Sequence, residues 1–250
     1  MYADLVPAFA DLVTGCRCLG CDRGGRLLCP DCLTGLPTTA YVARPTPCPA
    51  GLVTVWAAGA YDGLLRELVL GHKEQGLLPL RGPLGLMIAQ GVAAAIRSPG
   101  PVVLVPVPSR AASVRARGHD PTHSMVRAAA GHLRAVGVDA IVHRLLVIRG
   151  TVRDQAGLSV AERADNLAGS LWCPSAGVGA LGRRRSRARV VICDDVLTTG
   201  ATAREAQRAL ESAGLCPEAV VTVAATARRG GSAPARIHGE SSGCSLVKGG

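Results

Sequence analysis

Short apolar runs alternate along this chain with longer segments whose apolar positions recur at helical spacing. Residues 53–61 read as a strand, 64–70 as the opening of a helix, 77–96 as a long apolar helix, and 102–105 as a buried strand ending at Pro106-Val107-Pro108. Residues 122–135 predict a helix, 141–147 a strand and 160–167 a short helix, before a final strand, helix and strand over 190–193, 203–213 and 220–224. Strands separated by helices of this length predict an α/β fold built on a parallel sheet with both faces covered. Residues 175–189, rich in Gly and Arg, read as a linker, and the polar Gly/Ser-rich segment from Arg228 onward reads as a disordered tail.

The third-last and second-last of these elements enclose Val190-Val191-Ile192-Cys193-Asp194-Asp195-Val196-Leu197-Thr198-Thr199-Gly200-Ala201-Thr202. An apolar strand, a pair of acids, a hydroxyl-rich turn and a helix start follow one another, and open α/β sheets bind ligands at such strand-to-helix turns. Backbone N–H groups from Thr198 to Thr202 and the helix N-terminus suit a phosphate, while two carboxylates suit the vicinal hydroxyls of a ribose. Thr202 and Glu205 also spell a capping box, which is compatible with a ligand. Capping leaves unexplained two adjacent, mutually repelling carboxylates at the end of an apolar strand.

These residues resemble the phosphoribosyl pyrophosphate (PRPP) signature of type I phosphoribosyltransferases at every position: three apolar residues, two acids, an apolar residue, any residue, two hydroxyls, Gly, any residue and a hydroxyl. The resemblance implies Asp194 and Asp195 as the catalytic pair on the ribose. It implies Val196, Leu197, Thr198, Thr199, Gly200, Ala201 and Thr202 as the cradle of the 5′-phosphate.

A chain of 250 residues is long enough for one main domain and an accessory element. The net charge of +10 suits an anionic substrate or nucleic acid without choosing between them. All 28 basic residues except Lys73 and Lys248 are arginine, so Lys73 stands out within the predicted fold. The most apolar stretch, 83–96, is interrupted by Gln90, flanked by Arg81 and Arg97, and shorter than the roughly 18–20 residues of a membrane span. With Asp4 and Asp11 in the first apolar segment and no basic leader, a cytoplasmic protein is expected.

Ten cysteines in such a chain point to metal before disulfides. Cys18-x2-Cys21 and Cys29-x2-Cys32, seven residues apart, form two knuckles whose thiolates can converge on zinc. A hairpin this short, with Gly20, Gly24 and Gly25, would be organised chiefly by its metal, and a structural zinc ribbon is expected. Cys16 and Cys48 are surplus, either as bystander thiols or in place of one of the four; disulfides are the other option. Cys193 reads as a small hydrophobe within its strand.

Read together, the two knuckles, Tyr61-Asp62-Gly63 followed by Gly71-His72-Lys73, Val105-Pro106-Val107-Pro108 with Arg117-Gly118, Gln155 with Arg163-x2-Asn166-Leu167, and the PRPP stretch resemble the competence protein F (ComF) family over residues 16–227. The resemblance implies a parallel-sheet type I phosphoribosyltransferase fold with a small N-terminal zinc ribbon, in some members tied to DNA uptake. The expected organisation is an N-terminal helix and zinc-ribbon segment over 1–50, a phosphoribosyltransferase-like domain over 51–227 and a tail over 228–250. This chain departs from the family after Arg117-Gly118, where His119, Asp120 and Pro121 replace an aromatic residue, Asn and Gln.

Transfer from PRPP displaces pyrophosphate from the anomeric carbon, so leaving-group charge must be neutralised and water excluded. Lys73 and the trio Arg110, Arg115 and Arg117 are the candidate pyrophosphate ligands, and the 113–120 loop a candidate lid. Mg2+ is expected to be held by substrate oxygens rather than by a protein cage. His119 is a weaker candidate for general base, while Gln155, Arg163 and Asn166 suit structural or base-edge contacts.

Gly177-Val178-Gly179-Ala180-Leu181-Gly182 spells a dinucleotide fingerprint but lacks the preceding strand. The arginines of 183–189 suit a solvated loop better than a phosphate contact, and only six aromatic residues are available to stack on bases. The expected function is therefore transfer of a phosphoribosyl group between pyrophosphate and a small, base-like acceptor. A non-catalytic PRPP- or nucleotide-sensing or DNA-binding accessory protein is the alternative, and a purely structural zinc protein a third. Besides PRPP and the acceptor, a DNA or DNA-processing partner and a homodimer stay open.

Overall fold

The computed structural model describes residues 16–96, 100–149, 169–185 and 188–226. The expectations for residues 1–15, for Gln155, Arg163, Asn166 and the helix over 160–167, and for the tail lie outside the described residues. In chain order the elements are α1 (Pro30–Thr34), β1 (Tyr41–Ala43), β2 (Val55–Ala60), α2 (Gly63–Lys73), a 3-10 turn (Leu78–Leu80), α3 (Arg81–Ala95), β3 (Val102–Pro106), α4 (Ala111–Arg117), α5 (Pro121–Ala135), β4 (Ala140–Val142), β5 (Val147–Ile148), β6 (Leu171–Trp172), α6 (Ser175–Arg185), β7 (Arg189–Leu197), α7 (Ala201–Glu211) and β8 (Pro217–Ala225).

Six strands form one sheet in the order β1-β2-β8-β7-β3-β4, parallel throughout except for the antiparallel edge strand β1. The apolar runs become strands buried on both faces, as a covered parallel sheet requires. Alternation divides their side chains: Val102, Leu104, Val191, Cys193, Val221 and Val223 join one core with Leu68, Met87, Ile88 and Met125 of α2, α3 and α5. Val103, Val105, Val190, Ile192 and Val220 join the other with Ala203, Ala206 and Leu210 of α7. α3 is apolar nearly all round because it is enclosed on two sides. A methyl at Gly85 would stand 2.6 Å from Ala128 Cβ of α5, and one at Gly91 2.4 Å from Val221 Cγ1 of β8. No helix among the described residues is long and apolar enough to cross a membrane.

Three local expectations are corrected. The strand over 141–147 divides, because consecutive Leu145 and Leu146 are both buried and break the alternation; β4 pairs with β3, whereas β5 pairs with β6 in a separate two-stranded sheet. The 175–189 linker is helical over most of its length as α6, against the low propensity of Gly177, Gly179 and Gly182, because Leu181 is buried in the second core. The stretch 177–182, which spells a dinucleotide fingerprint but lacks the strand such a site needs, lies inside that helix. The capping box does not form: α7 starts at Ala201 with Gly200 as N-cap and no side-chain cap, two residues too early for Thr202 to serve.

Glu205 instead ties the small sheet to the large one. Its carboxylate, 5% exposed, accepts the Leu171 N–H at 2.9 Å and pairs with Arg208. Burial alone would push its carboxyl up, but the Arg208 guanidinium and the Leu171 N–H outweigh that and hold it below its ordinary value. This contribution to stability is full above the unfolded-chain value of about 4.3 and is lost as pH falls through the lowered folded value. Glu205→Ala is expected to cost about 1–3 kcal/mol in urea denaturation by stranding the buried Leu171 N–H. Glu205→Gln, which keeps an acceptor, is expected to cost less, and it should flatten the acid limb of the stability profile.

Candidate functional site at the carboxyl ends of the strands

Sheet order changes direction between β3 and β7: the chain leaves β3 outward to β4, and returns at β7 to continue the other way into β8. The carboxyl ends of β3 and β7 therefore border the crevice where open α/β sheets bind ligands. Pro106 is in register with Cys193, and the Val107 N–H donates to the Cys193 carbonyl, so the acid pair begins where β3 turns away.

The acids lie inside β7 rather than in the turn after it. β7 runs four residues further than the apolar pattern predicts because β8 continues to pair with it, Asp194 with Thr222 and Leu197 with Ala225. Of the predicted phosphate cradle, Val196 and Leu197 are consequently strand, Thr198, Thr199 and Gly200 form the turn, and Ala201 and Thr202 open α7. Asp195 shares a parity with Val191 and Cys193 and lies toward α2, while Asp194 shares one with Val190 and Ile192. The Asp195 N–H donates to Asp194 Oδ1 and the Val196 N–H to Asp195 Oδ1, each at 2.8 Å. Burial, and then the neighbouring Asp195 carboxylate, push the Asp194 carboxyl well above its ordinary value.

Lys73, at the end of α2, pairs through Nζ with Asp195 Oδ2. Burial works against its charge, but Asp195 and then Asp194 prevail and raise its pKa. The turn carrying Lys73 is fastened to the segment after α4. Arg117 donates to Glu74 Oε2 from Nη2 at 2.6 Å, His119 Nε2 lies 3.0 Å from the His72 carbonyl, and His72 Nε2 lies 3.2 Å from the Pro121 carbonyl. The 113–120 stretch expected as a loop is thus mostly helix α4, closed by Gly118 in the left-handed region and anchored beside Lys73. Both ring nitrogens of His119 lie beside carbonyl oxygens, Nε2 3.0 Å from that of His72 and Nδ1 3.3 Å from that of Arg117, so the ring is held between these two segments. Arg110 and Arg115 have no ion pair among the described residues, and Arg117 is committed to Glu74.

A small cavity of about 20 Å³ lies against the turn, lined by Asp194, Thr198, Gly200, Thr202 and Thr222 among others. Thr222 was missed by sequence reasoning, although a lone hydroxyl within the apolar run of β8 marks it; it is buried and donates to the Trp56 carbonyl. The segment 45–53 also escaped notice. It roofs the turn, held by Arg204 Nε on the Ala50 carbonyl, Gln207 Nε2 on the Gly51 carbonyl, and the Val53 N–H on Gln207 Oε1. A larger cavity of about 370 Å³ lies elsewhere, between the β5–β6 hairpin and the far half of α7, with Arg149, Trp172 and Arg208 in its wall. It holds neither acid, and Arg208 is already spent on Glu205 and the Leu171 carbonyl, so size does not mark the chemistry here.

At the other end of the chain the four predicted cysteines converge. The metal-binding atoms of Cys18, Cys21, Cys29 and Cys32 lie within 4.8 Å of one another and can bind a metal ion. The first knuckle is a hairpin in which the Cys18 N–H donates to the Arg23 carbonyl; the second is the start of α1, N-capped by Cys29. Cys16 and Cys48 stay outside the cluster, and the described cysteines are free of disulfides. Burial opposes ionisation of Cys18, but N–H groups of Cys29, Gly20 and Cys21 aim at its sulfur and bring it down to about 6. Cys32, whose thiol is engaged with Cys29, is pushed up to about 12.

No protein-family model matches this sequence, and no curated protein matches it.

Two outcomes follow from this geometry. Gly200 has φ +73, and a methyl there would stand 2.9 Å from Pro45 Cγ, so Gly200→Ala is expected to cost about 1–3 kcal/mol in chemical denaturation. Full-length protein is expected to take up one thiophilic metal ion at the cysteine cluster and release protons as it does so, because thiolates are the ligands. By competition with a chelator its affinity should rise with pH and fall away below about 6, where Cys18 is protonated as well; Cys32→Ser should weaken uptake strongly, whereas Cys48→Ser should not.

Proposed function

We propose that this chain is a type I phosphoribosyltransferase of the ComF kind, binding PRPP at the carboxyl ends of β3 and β7 and transferring its phosphoribosyl group to a small, base-like acceptor. The observation that carries this reading is the complete PRPP signature over 190–202, with its acid pair at the sheet's switch point and Lys73 drawn to it from another element.

In this reading N–H groups of the turn and of the first turn of α7, whose N-cap Gly200 has no side chain to offer them, face the 5′-phosphate at the mouth of the small cavity, which by itself has room for about one water. Asp194 and Asp195 accept the two ribose hydroxyls and oppose the positive charge that builds on the sugar ring as the bond from C1′ to pyrophosphate breaks and that to the acceptor forms. Lys73 leaves Asp195 for the pyrophosphate, and Arg110 and Arg115, which have no acidic partner among the described residues, add charge there. Arg117 serves instead to anchor its segment to Glu74. Mg2+, brought in on substrate oxygens, would neutralise leaving-group charge. At the cysteine cluster a tetrahedral zinc, with bonds of roughly 2.3 Å, spaces sulfurs about as far apart as Cys21 and Cys29, which are 3.6 Å from each other. Zinc is the proposed occupant, with a structural role.

Calorimetry with PRPP and Mg2+ tests the site. Binding is expected, weakened at least tenfold, or roughly 1.4 kcal/mol, when Asp194 and Asp195 are both changed to Asn. Lys73→Gln is expected to weaken PRPP far more than ribose 5-phosphate, which lacks the pyrophosphate. Pyrophosphate release over a panel of acceptors then separates an enzyme from a sensor, and equal PRPP affinity in the double mutant defeats the site.

A further inference from the structure

The cysteine cluster and the acid pair are joined through one helix. A methyl at Gly20 would stand 2.7 Å from Cys32 Sγ and 3.3 Å from Leu64 Cδ1, so the metal-binding turn abuts the first turn of α2. Leu19, between Cys18 and Gly20, reaches the last turn of the same helix, its Cδ1 3.3 Å from where a methyl at Gly71 would stand. Leu64 and Gly71 are roughly two turns apart on one stripe of α2, and Lys73 ends the helix two residues later.

We propose that Leu19 is a positioning residue: through it the metal-ordered knuckle holds the end of α2 and sets Lys73 at the acid pair, so that metal binding and substrate binding favour each other. The knuckle spends its leucines on the domain, Leu19, Leu27 and Leu28 all packing against the core that contains Leu65 and Leu68. It has too few apolar residues left to order itself, so the four-cysteine site must do so. Lys73 has a flexible stem, and its turn is held on one side by Arg117 and His119 and on the other by Leu19. Loss of the metal frees Leu19, the last turn of α2 loosens, and Lys73 no longer starts from a fixed place. Linkage makes the effect mutual: whatever factor the metal adds to substrate affinity, substrate adds to metal affinity.

The proposal rests on the PRPP reading of the acid pair, and its test separates the two. Cobalt-loaded full-length protein reports the thiolate site by its absorption. PRPP with Mg2+ is expected to tighten cobalt binding at least fivefold in the wild type, and metal stripping to weaken PRPP by the same factor. Leu19→Ala is expected to keep one cobalt per chain yet lose that coupling, and Leu19→Met to restore most of it. Hydrogen exchange supplies an arm that needs no substrate: the Glu74 and Leu77 amides, bonded to the Leu70 and Gly71 carbonyls, should exchange at least tenfold faster in folded Leu19→Ala and in stripped protein. If no form binds PRPP while exchange speeds up as expected, the substrate reading fails and the mechanical link stands. Unchanged exchange, or coupling intact in Leu19→Ala, overturns the proposal, since a merely structural leucine would lower stability and leave the coupling factor alone.

Discussion

Two carboxylates side by side at the end of a buried strand are the constraint around which this molecule is arranged. Asp195 is 8% exposed, its backbone N–H donates to the half-buried Asp194 carboxylate, and little solvent is left to screen the pair. Charge must be brought to them, and among the described residues it comes from Lys73 at the end of α2. That requirement accounts for the surrounding construction. α2 ends at the crevice, its last turn is fastened to the segment after α4, and Leu19 of the cysteine knuckle packs against that same turn. The sheet supplies the rest by presenting the acids where β3 and β7 part.

Much of this was legible in the amino-acid order. The strands that form the middle of the sheet are continuous apolar runs, and their burial on both faces leaves little choice of element. The four cysteines were equally plain, because two short knuckles on a chain with few residues between them have few ways to satisfy their thiols other than together. The acid pair and the turn after it stood out by their chemistry alone, and the sheet carries them to its switch point.

What sequence could not show was decided by tertiary packing. α6 forms although three glycines oppose it, since Leu181 gains a buried place. β7 extends through the acids because β8 supplies partners for its backbone, a long-range effect with no local signature. Glu205 looked like half of a capping box and is instead the anchor of the β5–β6 hairpin, reached across 34 residues of sequence. Arg117 and His119 were candidates for a pyrophosphate ligand and a general base, and sequence could not show what holds them: Glu74 for one, two carbonyls beside the other. A charged side chain in a loop acquires its role from what it meets, and spacing does not encode that meeting.

The central claim is that the acid pair holds a ribose and that Lys73 exchanges Asp195 for pyrophosphate. A crystal structure of the metal-loaded protein with PRPP and Mg2+ tests it most directly. The account predicts ribose hydroxyls on Asp194 and Asp195, phosphate at the turn before α7, and Lys73 Nζ on a pyrophosphate oxygen. Ligand bound elsewhere, with Lys73 still on Asp195, would contradict it.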